Sequence, residues 1–222
     1  MKTKDPVNQE LIEHEKSLGL EKLGIMNSKV WSDDPKRLVF TLSRYKFVSK
    51  ILQGKSKVLE IGCGDGFCSK LVKETVEELT ISDYDPLFIE KFNKDLNRDG
   101  LTKTLTHDFL LEPLKEKYDA IYTLDVLEHI SKESEDTFLR NACSSLKRNG
   151  ILIVGMPSIE SQEFASPASK AGHINCKSGD ELRKTMLEYF ENVLIFSMND
   201  EVVHTGFLKM AHYLIAIGIS QK

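Results

Sequence analysis

From Lys57 onward the chain alternates short apolar runs with segments of helical spacing, and this alternation restricts the fold more than any other feature of its 222 residues. "KVLEI" reads as a strand and "FCSKLVKETVEE" as a helix. "LTISD" reads as a second strand, "PLFIEKFNKDLNRDG" as a helix opened by Pro86 and closed by Gly100, and "TLTHD" as a third strand. "YDAIYTLDV" and "GILIVGMP" are further strands, separated by a helix from about Ser134 to Leu146. "SGDELRKTMLEYF" is a helix capped by Ser178 or Asp180, and "NVLIFSM" and "FLKMAHYLIAIG" close the chain as strands. Such alternation implies an α/β fold, a doubly wound, mostly parallel sheet with helices on both faces. No helix-length segment separates the last two strands, so the expectation is a seven-stranded sheet ending in an antiparallel C-terminal hairpin.

Upstream, residues 1–54 form an N-terminal helical segment, read as covering a site on the domain at 55–222. It contains a polar stretch to about Gly24 and a helix in "DDPKRLVFTLSRYKFVSKIL" capped by Asp34, with Pro35 at its first position. Trp31 precedes that helix and reads as a core residue. The net charge of -4, without a basic block, gives nucleic acid no support as a partner. The amino terminus lacks a leader-like apolar core and no run is long enough to span a bilayer. Cys63, Cys68, Cys143 and Cys176 show neither CxxC nor zinc-like spacing and read as reduced thiols of a cytoplasmic protein.

The stretch "VLEIGCGDGF" places three glycines directly behind the first strand. Gly62 permits a tight turn, and Gly64 and Gly66 let backbone and helix approach a ligand. Phe67 stands where the dinucleotide fingerprint has its third glycine, and no Gly-Lys-Ser/Thr follows, so nicotinamide and nucleoside triphosphate are both disfavoured. Asp83, at the end of the second strand, is placed to accept hydrogen bonds from both ribose hydroxyls of a nucleoside.

Together these stretches resemble the Rossmann-like, class I S-adenosylmethionine-dependent methyltransferases, over roughly Val58 to Pro157. The resemblance extends to small-molecule O-methyltransferases of the ubiquinone-pathway type. It implies S-adenosyl-L-methionine as cofactor, leaving S-adenosyl-L-homocysteine. It also implies that Gly62, Cys63, Gly64 and Gly66 wrap the methionine end, with Glu60 ordering loop and ligand. By the same resemblance Asp83 meets the ribose, Asp108 and Phe109 the adenine, and Tyr84 and Asp125 are further cofactor contacts. Arg44 and Tyr45 fold over it, Arg44 toward the methionine carboxylate.

Methyl transfer to an alcohol or phenol requires a base. His129, in "LDVLEHI", and His173, after the long polar connection from Ser158 to Gly172, are the catalytic candidates. Asp125, Glu128, His129 and His173 also form a D/E-x-x-E-H type cluster that suits a divalent metal, although helix capping explains the spacing equally and no metal ligand is assigned. The leading expectation is methylation of a small-molecule hydroxyl, of sugar or phenol type. The alternatives are a metal-dependent RNA ribose methyltransferase and a cofactor-binding protein without turnover. O-, N- and C-methylation are not separated by sequence.

Overall fold

The computed structural model describes residues 2–222. Five strands, β1 (Lys57–Ile61), β2 (Glu78–Asp83), β3 (Lys103–Thr106), β4 (Tyr118–Leu124) and β5 (Leu146–Pro157), pair in parallel. Three more, β6 (Phe190–Asn199), β7 (Val202–His204) and β8 (Tyr213–Gln221), complete one sheet in the order β3-β2-β1-β4-β5-β8-β6-β7. The sheet therefore has eight strands rather than the expected seven. The added strand, β7, folds back on β6 through a turn at Asp200, whose φ of 49° is left-handed. β8 then inserts antiparallel between β5 and β6.

Side chains alternate across the pleat, as the period of two requires. Val58, Ala120, Tyr122 and Leu124 face one layer, formed by α3 (Pro35–Ile51), α4 (Lys70–Lys73) and α5 (Pro86–Asp95). Leu59, Ile61 and Ile121 face the other, formed by α6 (Lys132–Ser144) and α8 (Gly179–Met186). Helix starts follow the sequence closely: Asp34 caps α3, Asp85 caps α5, and Ser178 with Glu181 forms a full capping box on α8. The helix expected from Phe67 shrinks to the four residues of α4.

Three helices lie in segments where the sequence delimited none. The N-terminal segment contains α1 (Gln9–Leu18) and also α2 (Gly24–Asp33), and the polar connection after β5 contains α7 (Pro167–Gly172). Trp31, on α2, is 56% exposed and not in the core. Among the described residues, no helix is long and apolar enough to cross a membrane.

Strand order reverses between β1 and β4, and ligand clefts of doubly wound sheets open at the carboxyl ends of strands at this point. Gly62 follows β1 there, and Asp125 follows β4.

Candidate functional site

The glycine loop turns sharply because both Gly62 and Cys63 donate their main-chain N–H to the Ser82 carbonyl, at 2.8 and 2.9 Å. Gly62 holds φ of 77°, and a Cβ on it would lie 2.3 Å from Val126 Cγ2. A side chain is thus excluded both by backbone conformation and by space. Gly66 excludes a side chain in the same two ways, with φ of 68° and Phe92 of α5 at 2.4 Å from where its Cβ would stand.

Glu60 is turned inward, and its side chain lines neither of the two clefts described below. Its carboxylate is 1% exposed and accepts hydrogen bonds from the hydroxyls of Tyr45 (2.6 Å), Tyr122 (2.6 Å) and Ser69 (2.5 Å). Burial pushes its pKa up, against the pull of the three hydroxyls. It ties α3, β4 and the start of α4 to β1. The acidic residue ahead of the loop orders the protein framework, and Tyr45, expected over the cofactor, spends its hydroxyl on the same hub.

Asp83 accepts the Gly64 N–H through Oδ2 at 3.0 Å and the Asp85 N–H through Oδ1 at 3.0 Å. Burial raises its pKa, and these two N–H groups oppose the shift. Asp108 caps its own turn, accepting the Leu110 N–H at 2.8 Å. Together with Gly62, Gly64, Tyr84, Phe109, Asp125 and His129, these residues line a cleft of about 570 Å³. Met26, Phe88, His107, Ile130 and Phe138 line it as well, and the sequence motifs gave none of them a role.

A second cleft of about 310 Å³ shares Met26, Gly62, Gly64, Asp125 and His129 with the first and continues toward α3 and α7. Arg44, Tyr45, Cys63 and His173 line it, as do Asn27, Asp65 and Glu128. Arg44 lies 3.7 Å over the Tyr213 ring, and its Nη1 donates to both oxygens of Asp125, at 2.9 and 2.8 Å. Burial disfavours the Arg44 cation, yet Asp125, with Tyr213 and Glu128, holds its pKa above the ordinary value. Asp125 itself adopts a left-handed φ of 57° and donates its N–H to the Gly155 carbonyl at 3.0 Å. Strain at a non-glycine residue of this kind gathers at functional sites.

Glu128, His129 and His173 meet on the far wall of this cleft. The Glu128 carbonyl accepts the N–H groups of Ile174 (2.9 Å) and Asn175 (3.0 Å), which brings the segment after α7 against the turn after β4. One ligand atom from each of the three side chains lies within 4.8 Å of the others. The Glu128 side chain is fully buried, and neither carboxylate oxygen has a hydrogen-bond partner. Burial, and then the Asp125 charge, raises its pKa well above the carboxylate range, with Arg44 opposing. The His129 Nδ1 lies 2.9 Å from the Gly172 carbonyl, and the His173 Nδ1 lies 2.8 Å from Gln162 Oε1. Burial and the neighbouring His129 lower the pKa of His173. A buried carboxyl of this kind stays protonated, and a cation beside it would favour the ionised, ligating form. The donor set of one carboxylate and two imidazoles suits a divalent metal ion.

Comparison with known proteins agrees with the fold. No curated protein sequence matches the chain. Among solved structures, the N-methyltransferase NodS from Bradyrhizobium japonicum WM9, in complex with S-adenosyl-L-homocysteine, aligns at a TM-score of 0.61 and 19% identity. That alignment covers 86% of this chain and 90% of NodS. The methyltransferase domain of bacterial CtHen1-C aligns at 0.68 and 16% identity, over 81% and 98% of the two chains. A possible histamine N-methyltransferase from Thermotoga maritima aligns at 0.66 and 18% identity, over 93% and 97%. The family model described as a methyltransferase domain matches residues 31–193, well over half of the sequence. With that match, the glycine loop and the doubly wound sheet, the chain belongs to the methyltransferase-domain family and is an S-adenosylmethionine-dependent methyltransferase.

Proposed function

We propose that this enzyme transfers the methyl group to a hydroxyl of a small molecule, of sugar or phenol type, in the manner of ubiquinone-pathway O-methyltransferases. The observation that carries the reading is the unpartnered, buried Glu128 carboxylate beside His129 and His173. A divalent cation held by these three side chains would supply Lewis acidity to the acceptor hydroxyl, which an amine acceptor does not need.

In this reading the larger cleft takes the adenosine. Asp83 accepts from the ribose hydroxyls while it braces the loop through Gly64, and Tyr84, Asp108 and Phe109 surround the base. Gly62 and Gly64 pass beneath the methionine end, near Cys63. Arg44 leaves one or both oxygens of Asp125 to meet the methionine carboxylate. The smaller cleft takes the acceptor, with the N-terminal segment, residues 1–54, as its cover. His129 and His173 face it with one free nitrogen each, and that nitrogen serves either as proton acceptor or as metal ligand. Positioning of methyl and hydroxyl in line does the remaining work.

RNA ribose hydroxyls would use the same cluster, but the net charge of -4 gives no electrostatic footing for a phosphate backbone. The test is methyl transfer to a panel of phenols, catechols, sugars and amines, with and without Mg²⁺ or Mn²⁺ and a chelator. Cation-dependent methylation of a hydroxyl is the expected result. Cation-independent methylation of amines would overturn the reading.

A further inference from the structure

We infer that Gln162 is a positioning residue that sets the tautomer of His173 and leaves its Nε2 unprotonated for the site. The inference rests on the proposed cation site only for its purpose, because the hydrogen-bond geometry stands by itself.

Gln162 lies in the short 3-10 turn Glu160–Phe164 just after β5. Its Nε2 approaches the main-chain carbonyl of Ser158 at 3.2 Å and Ser161 Oγ at 3.3 Å. A carbonyl oxygen only accepts, so the amide nitrogen must be the atom that faces Ser158, and the amide oxygen must face His173. The Ser158 end is well anchored: the residue is fully buried, its Oγ donates to the Ala211 carbonyl at 2.6 Å, and its N–H donates to the His212 carbonyl at 3.1 Å. Gln162 Oε1 then lies 2.8 Å from His173 Nδ1, and an amide oxygen can only receive a hydrogen there. Nδ1 therefore carries the proton, and the lone pair of a neutral imidazole is left on Nε2.

His129 reaches the same state by another route. Its Nδ1 faces the Gly172 carbonyl at 2.9 Å, which also only accepts. The two rings meet edge to face, 5.2 Å apart, both with Nδ1 engaged and Nε2 free. One histidine takes its tautomer from the main chain. The other depends on a single replaceable side chain. Hydrogen bonding of the distal imidazole nitrogen by a carbonyl or carboxylate is how metal-ligating histidines are oriented.

The test uses the full chain labelled with ¹⁵N-histidine, free of metal and alkaline enough for neutral imidazoles, followed by Mn²⁺ titration in calorimetry. Wild-type His173 is expected to show a protonated Nδ1 and an unprotonated Nε2. Gln162→Ala should move a large share of the proton to Nε2 and weaken Mn²⁺ about 10- to 100-fold. Gln162→Glu retains an acceptor and should restore both readouts, and near-ultraviolet circular dichroism reports whether each variant is folded. The inference is overturned if wild-type His173 carries its proton on Nε2, or if Gln162→Ala leaves the tautomer unchanged. If the tautomer follows Gln162 while no form binds Mn²⁺, the positioning role stands and the cation reading of the site falls.

Discussion

The Asp65 carboxylate, in the glycine loop, accepts the main-chain N–H of Met26 at 2.8 Å and so caps a helix 39 residues earlier in the chain. The same Oδ2 takes the Asn27 N–H at 2.9 Å, and Oδ1 takes the Asn27 side-chain amide at 2.7 Å. The first turn of α2 has no cap of its own, because Leu23 stands at that position. The loop thus holds down the helix that places Met26 at the junction of the two clefts.

Asp65→Ala should release α2. Loss of a cap costs about 1–2 kcal/mol, concentrated in the N-terminal segment rather than spread over the domain. Limited proteolysis should show new cleavage between residues 20 and 34, while the global unfolding transition moves little. Gly24→Ala should behave alike, since φ at Gly24 is 80° and a Cβ there would meet Asp65 Cγ at 2.5 Å. Equal protease resistance of wild type and both variants would refute the clasp.

Glu60→Ala removes the carboxylate to which the buried hydroxyls of Tyr45, Tyr122 and Ser69 all donate. Unpaired buried hydroxyls make this a loss of about 3 kcal/mol, read as a lower urea midpoint. Glu60→Gln keeps one acceptor oxygen and should lose less. A stable Glu60→Ala protein with weakened cofactor affinity alone would instead place Glu60 in contact with the ligand.

Asp83 has a double task, bracing Gly64 and facing the larger cleft. Asp83→Ala should weaken S-adenosylhomocysteine binding about 100-fold in calorimetry, and Asp83→Asn about tenfold, since the amide retains one acceptor. Affinity within a factor of two of wild type in both variants would exclude a ribose role.

His212 provides a pH dependence of stability. Burial, and then the Arg44 charge, lowers its pKa, while Asp200 opposes. Its Nδ1 accepts the Asp200 N–H at 3.4 Å, and its Nε2 is buried without a partner beside the Phe40 ring. The folded pKa lies below the unfolded value of about 6.5. The stabilising contribution is therefore complete above that value and is lost as pH falls through the folded pKa, because the unfolded state takes up the proton first. His173, also lowered, adds to the same trend. Urea midpoints should decline from about pH 7.5 to pH 5, and His212→Gln should flatten part of that decline. An identical slope in the variant would remove His212 from the account.

The sequence alone determined the framework and the cofactor class of this protein. Period-two apolar runs alternating with helical segments require a covered, mostly parallel sheet, and local signals such as the Asp34 and Ser178 caps and Pro86 act within a few residues of themselves, so they are legible in order. Glycine spacing and Phe67 belong to the same local grammar. The site was legible only in part, because its distinctions arise between residues far apart in the chain. Whether Glu60 faces a ligand or three hydroxyls depends on Tyr45 and Tyr122 converging from α3 and β4. The cap on α2 comes from Asp65, and the helix itself has no N-terminal signal for sequence to show. The three-residue β7 is too short to carry a period and exists because β6 offers it an edge. His173 stands beside Glu128 only because Ile174 and Asn175 find the Glu128 carbonyl. Tertiary hydrogen bonds decided these placements, since buried polar groups take whichever partner the packing brings within reach.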